Sequence, residues 1–113
     1  MAKVKALQLL QASEVAKYLQ DLPLWSLNDQ SNAIQRTFRF SNFDQAFAFM
    51  TKVATEAERH NHHPEWFSVY NKVEITWTTH DVQGLSIKDI QMANICDQFF
   101  SDFIEYDEIL IPH

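Results

Sequence analysis

The clearest periodic run in the chain follows Phe40, where Phe43, Ala46, Phe47, Met50, Val53, Ala54 and Ala57 recur at three- and four-residue intervals. That spacing lines one face of an α-helix. Ser41, with Asp44 three residues on, predicts a capping box at its start. Its end is expected near Arg59, because Pro64 disfavours helical geometry at His63 and "HNHH" is a poor helix former. Upstream, "SEVAKYLQDLP" offers Ser13 as an N-cap, sets Val15, Leu19 and Leu22 at helical spacing and stops at Pro23.

Between these helices, "LWSL" and "AIQRTFRF" flank the polar turn "NDQSN". In the second segment Ile34, Arg36, Phe38 and Phe40 alternate with Gln35, Thr37 and Arg39. A period of two is the mark of a strand, so the pair reads as a hairpin. "EWFSVY", the turn "NK" and "VEITWTTH" read as a second hairpin, rich in aromatic and β-branched residues. Trp66 and Phe67 are adjacent there, so one is expected in the core and the other facing the hairpin's polar end. A last helix is expected from Ser86, where "SIKD" is another possible capping box, to about Tyr106. It carries two apolar stripes, Ile90, Ala93, Cys96, Phe100, Ile104 and Met92, Ile95, Phe99, Phe103. They are wider than one sheet requires and point to a subunit interface. The order α-β-β-α-β-β-α predicts an α+β fold, a four-stranded antiparallel sheet with three helices on one face.

Composition narrows the functional classes. At 113 residues the chain is expected to form one domain spanning 1–113. A formal charge of −6 argues against direct nucleic-acid binding, which needs clustered Lys and Arg. Gly84 is the only glycine, which removes the phosphate-binding loops that need several. Cys96 stands alone, so no internal disulfide can form, and a reducing compartment fits. Gln8 and Gln11 interrupt a faint leader-like start, and no apolar run reaches the ~20 residues of a membrane span. A cytoplasmic location is expected.

Chemistry concentrates in "HNHHPEWFSVYNKVEITWTTH", which holds four of the five histidines. The hairpin between His63 and His80 can return the chain to nearly the same edge, bringing His62, His63 and His80 into one site. Imidazole exchanges protons near neutral pH, and two or three can divide acid and base roles. The alternatives are histidines that merely close polar hairpin ends, or a metal set completed by Glu58 or Asp89. Metal is the weaker reading, since adjacent His62 and His63 tend to point apart and no HExxH or paired-cysteine spacing occurs. His60 is assigned to solvent at a fraying helix end, and Asp89 is balanced between a helix cap and orienting a histidine. An aromatic such as Trp66 beside histidines suits a flat heterocycle.

These residues resemble the pterin-4a-carbinolamine dehydratases, also known as dimerisation cofactors of hepatocyte nuclear factor. The family pattern is an acidic residue, three residues, His-His-Pro, five residues, an aromatic, nine residues, His, and later Asp. Glu58, His62-His63-Pro64, Tyr70, His80 and Asp89 fill it in order. The likeness extends through "FRFSNFDQAFAFMTKVA" and "GLSIKDIQMA", and departs at Asn61, where some relatives carry Asp. It implies dehydration of 4a-hydroxytetrahydropterin to quinonoid dihydropterin, the recycling step that serves an aromatic amino acid hydroxylase, without metal or organic cofactor. His62 and His80 would be the acid/base pair and His63 a positioning group, with Asn61, Trp66, Thr78, Thr79 and Asp81 around the ring and Glu58 and Asp89 in support. The resemblance also implies a homodimer or homotetramer. The second hypothesis it carries is a binding module for a transcription factor.

Overall fold

In a computed structural model, which describes residues 6–110, Val73, Ile75 and Trp77 are fully buried while the residues between them are partly exposed. That alternation belongs to β4 (Lys72–Trp77), the central element of the architecture. The remaining elements are α1 (Ala12–Leu19), β1 (Ser26–Leu27), β2 (Ile34–Arg39), α2 (Phe43–Arg59), β3 (Glu65–Val69) and α3 (Ile87–Leu110). A single 3₁₀ turn, His80–Val82, lies between β4 and α3. The four strands form an antiparallel sheet in the order β1-β2-β4-β3, with α1, α2 and α3 on one face. The α+β expectation therefore holds, strand for strand and helix for helix.

Register fixes which side chains meet the helices. Ile34 pairs with Trp77 and Phe38 with Val73, so the two strands present one continuous apolar surface. Phe38, Phe40, Phe49 and Phe100 interlock above it with ring centroids 4.7 to 6.1 Å apart. Offset and edge-on packing of this kind adds to the burial of apolar area, the largest stabilising term in a core. Arg36 sits on the same face yet is satisfied, because its Nη1 lies 2.6 Å from Asp97 Oδ1 and its guanidinium covers the Phe38 ring at 4.4 Å. The Trp25 indole N–H donates to the same Asp97 oxygen at 2.9 Å, tying α3 to the sheet.

Several local expectations shift. Helix α1 starts after Gln11, not Ser13, because Glu14 Oε1 accepts the Gln11 N–H in a capping box. Helix α2 is capped by Asn42, not Ser41: Asn42 is extended and its Oδ1 accepts from the Gln45 N–H, while Gln45 Oε1 takes the Ser41 N–H. Phe49, absent from the expected stripe, is fully buried, whereas Phe43 and Phe47 are about half exposed. Neither Trp66 nor Phe67 enters the core, because β3 is an edge strand and exposed throughout. Met92, Ala93 and Cys96 on α3 are fully buried, and Ile95, Phe99 and Phe103 pack against the core. Both stripes touch the core, while Ile95, Phe99 and Phe103 stay only partly buried. The side chain of Ile104 and residues 111–113 lie outside the described residues.

Burial pushes the Cys96 thiol up to about 12; the neighbouring Trp77 indole and Arg36 oppose the rise, and Asp97 adds to it. Only a thiolate attacks a disulfide reagent. At pH 8 the native protein should therefore give no reaction with such a reagent over minutes, and one thiol per chain after unfolding in urea. Reaction of the folded protein at the rate of a free thiol would contradict this burial.

Candidate active site

Helix α2 ends in a way that aims the histidines. His60 is the C-cap, Asn61 follows with φ 50°, the Asn61 N–H donates to the Glu58 carbonyl, and the His62 N–H reaches back to the Ala57 carbonyl at 2.9 Å. These two bonds are the Schellman termination, which needs a left-handed residue just past the cap, and asparagine is the residue most tolerant of that geometry after glycine. The helix end is therefore capped, not frayed, and His60 faces Glu56 at 3.5 Å while its carbonyl accepts from Lys88 Nζ at 3.1 Å. The sharp reversal at Asn61 sends His62 inward and His63 outward.

His62 is 8 % exposed, and its ring stacks on Trp77 with centroids 5.6 Å apart and planes at 15°. Its Nε2 lies 2.6 Å from Oδ1 of Asp89, a fully buried carboxylate. Oδ2 of Asp89 accepts the Thr79 hydroxyl at 2.7 Å and the Ser86 N–H at 2.9 Å. The Ser86 bond, with Ser86 Oγ accepting the Lys88 N–H, is the expected capping box at the start of α3. Asp89 thus serves as helix cap and histidine partner together, one oxygen for each.

The other two histidines stand at the rim. His63 Nε2 meets Glu58 Oε1 at 2.8 Å, both well exposed. His80 opens the 3₁₀ turn, 3.6 Å from Glu65 Oε2, and its side chain is 84 % exposed. The turn is closed by reciprocal backbone bonds between Thr79 and Gly84 and completed by Gln83 at φ 56°.

A cavity of about 420 Å³ is lined by His62, His63 and His80 together with Asn61, Thr78, Thr79 and Asp81. Seven side chains named from the sequence are thereby gathered around one volume. Trp66 is not among its walls: it pairs with Ile75, on the helix-bearing side of the sheet. Tyr70, the motif's aromatic, is at the β3–β4 turn with φ 50° and 62 % exposed. Leu7, Pro64, Glu65 and Lys88 complete the walls. Lys88 was within reach of the sequence, sitting inside "SIKD" next to Asp89; Leu7 belongs to an N-terminal stretch with no motif to mark it. Among the described residues, no three His, Cys, Asp or Glu side chains gather as a metal set.

The exposed end of this α+β layer carries a carboxylate-backed histidine and two further histidines around a small cavity, side chains of the type able to exchange protons near neutral pH. Residues 8–99 match the family model described as pterin 4 alpha carbinolamine dehydratase, and the chain belongs to that family. A protein of Novosphingobium aromaticivorans, provisionally named pterin-4-alpha-carbinolamine dehydratase, is 54% identical over 72% of this chain and 84% of its own. One from Burkholderia lata with the same provisional name is 49% identical over 79% of this chain and 87% of its own. A crystal structure titled transcriptional coactivator/pterin dehydratase, from Brucella melitensis, superposes with a TM-score of 0.80 at 40% identity, over 81% of this chain and 98% of that one.

The Asn61 geometry is open to a direct check. Asn61→Gly keeps the left-handed turn and should leave stability within about 0.5 kcal/mol, whereas Asn61→Val meets the left-handed penalty of about 1–2 kcal/mol or more. Urea denaturation of the two variants measures the difference, and equal stabilities would show that the reversal at Asn61 does not govern the helix end.

Proposed function

We propose that the protein dehydrates a 4a-hydroxytetrahydropterin to quinonoid dihydropterin and water, with His62 and His80 as the proton-transfer pair and His63 as a positioning group. One observation carries this reading: the histidines of the family motif line one cavity of a size to admit a two-ring heterocycle, and one of them is backed by a buried carboxylate. The reaction changes no oxidation state. One group removes the proton from the ring nitrogen, its electron pair forms the carbon–nitrogen double bond, and the carbon–oxygen bond breaks as a second group protonates the departing hydroxyl. An acid and a base are both required, held on a fixed ring.

The environments of the histidines favour a division of labour. With Nε2 engaged by Asp89, His62 keeps Nδ1 for the substrate, and its stacking on Trp77 holds the ring in one plane. His80, at the open rim, can exchange its proton with solvent between turnovers. Asn61, Thr78, Thr79 and Asp81 would contact the pterin edge, with Glu58 orienting His63. Nitrogen atoms already directed at Asp89, Glu58 and Glu65 diverge, so we assign the chemistry to free imidazoles. The biological setting would be recycling of the pterin used by an aromatic amino acid hydroxylase, in the cytoplasm.

We also propose a symmetric homodimer or homotetramer. The observation behind it is the exposed β3 edge bearing Phe67, Val69 and Tyr70, together with the Phe43–Phe47 pair on α2. An unpaired edge strand is a template for association, and closed oligomers cover such edges by symmetry. The Brucella title also names a transcriptional coactivator, so a protein-binding role is the second reading.

Stopped-flow mixing with freshly generated 4a-hydroxytetrahydropterin tests the enzyme reading. The parent should speed the ultraviolet decay. His62→Ala and His80→Ala should each lower turnover by about 10²–10⁴, the usual worth of a positioned acid or base. His63→Ala should act mainly on KM, His60→Ala should change neither constant, and chelation should leave the rate intact. A folded protein that gives no acceleration over buffer would leave the binding-module reading in its place. Light scattering at micromolar concentration should show more than a monomer; a monodisperse monomer would remove the oligomer.

A further inference from the structure

The cavity at the histidines has polar walls except at Leu7 and Pro64. Pro64 comes with the histidine motif, whereas Leu7 arrives from the far N-terminal end of the described chain. It is carried by a strap, residues 6–11, that runs beside the turn begun by His80 and the start of α3. Leu7 is half-buried and is not among the apolar side chains packed on the core, although its neighbour Leu10 is. It also lines a smaller cavity of about 300 Å³ with Leu10 and Ile87. An apolar side chain that the core does not use thus stands in the wall of a polar site.

Two contacts seat the strap. The Leu10 N–H donates to the Leu85 carbonyl at 2.8 Å. Leu9 lies over Gly84 so closely that a Cβ there would stand 2.6 Å from Leu9 Cδ1. Gly84 does not have a left-handed backbone, so what this position requires is room for Leu9. Gly84 in turn exchanges backbone bonds with Thr79, whose hydroxyl donates to Asp89. The seat of the strap is therefore continuous with the corner that holds His62.

We infer that Leu7 is a substrate-positioning residue, supplying an apolar face for the pterin ring, and that the seating of Leu9 on Gly84 holds it in place. This rests on the dehydratase reading and adds the N-terminal strap to the site. A flat heterocycle buries its faces on apolar groups and its edges on polar ones. Asn61, the threonines and the histidines supply the edges, and Leu7 supplies a face. An apolar contact of this kind is made equally in the ground and transition states, so its loss appears in KM and not in kcat.

The test uses full-chain variants, stopped-flow kinetics with a 6-methyl-4a-hydroxytetrahydropterin, and calorimetric titration with 6-methyl-7,8-dihydropterin. Leu7→Ala should raise KM on the order of 10-fold with kcat within about 2-fold of the parent, the scale expected for a partly buried leucine side chain. Leu7→Met, which restores the volume, should recover most of that loss. Gly84→Ala displaces the flexible end of Leu9, so it should fold, raise KM about 5-fold and speed hydrogen exchange at the Leu10 amide on the order of 10-fold. In the Leu7→Ala background, Gly84→Ala should add less than about 2-fold, because the group it misplaces is already gone. A parental KM in Leu7→Ala, no recovery in Leu7→Met, or fully additive effects of Leu7→Ala and Gly84→Ala would each overturn the strap while pterin turnover stands. A parent that neither binds the dihydropterin nor speeds the decay sinks the dehydratase reading, and the role of Leu7 with it.

Discussion

The Asp89 carboxylate is the interaction on which the rest of the site depends. Fully buried, it receives His62 Nε2 on one oxygen and Thr79 and Ser86 on the other, so the ends of α2 and β4 and the start of α3 meet at one group. A buried carboxylate without such partners would cost several kcal/mol, which makes their geometry obligatory. Removing any of them leaves an uncompensated polar atom. The arrangement is therefore structural and chemical in the same bonds: what folds the corner also fixes the face His62 turns to the cavity.

Around this corner the backbone departs from ordinary geometry where the histidines need it. Asn61 and Gln83 both adopt positive φ, one before His62 and the other closing the turn that His80 begins. Each costs something, since left-handed geometry is unfavourable for a residue with a side chain. Stability is recovered in the aromatic layer of Phe38, Phe40, Phe49 and Phe100, far from the cavity.

Much of this was legible in the chain. Period and turn chemistry yielded every helix and strand in order, since local pattern and final structure agree wherever one face is plainly apolar. The cap at Asn42 and the exposure of both Trp66 and Phe67 were not legible: two cap-competent residues stood side by side, and the edge placement of β3 depends on the strand order β1-β2-β4-β3. The stripes on α3 meet the core through Met92, Ala93 and Cys96 and leave Ile95, Phe99 and Phe103 only partly buried, a split set by the packing of α3 on both the sheet and α2. Histidine clustering could be seen at once, and Glu58, His62, His63, His80 and Asp89 by their spacing. Leu7 could not, because its place beside the cavity depends on tertiary contacts of the N-terminal stretch, among them the bond from Leu10 to Leu85. For Asp89 the sequence posed a choice between cap and histidine partner that the two oxygens make unnecessary.

The most direct measurement is the protonation pattern of His62, read by nitrogen-15 NMR on the histidine-labelled protein with and without a bound pterin product. The geometry predicts a proton on Nε2, donating to Asp89, and an Nδ1 whose resonance moves when pterin binds. Asp89→Asn should disturb that pattern. A His62 whose Nε2 carries no proton in the free protein, or a Nδ1 resonance indifferent to pterin, would contradict the role assigned to the pair.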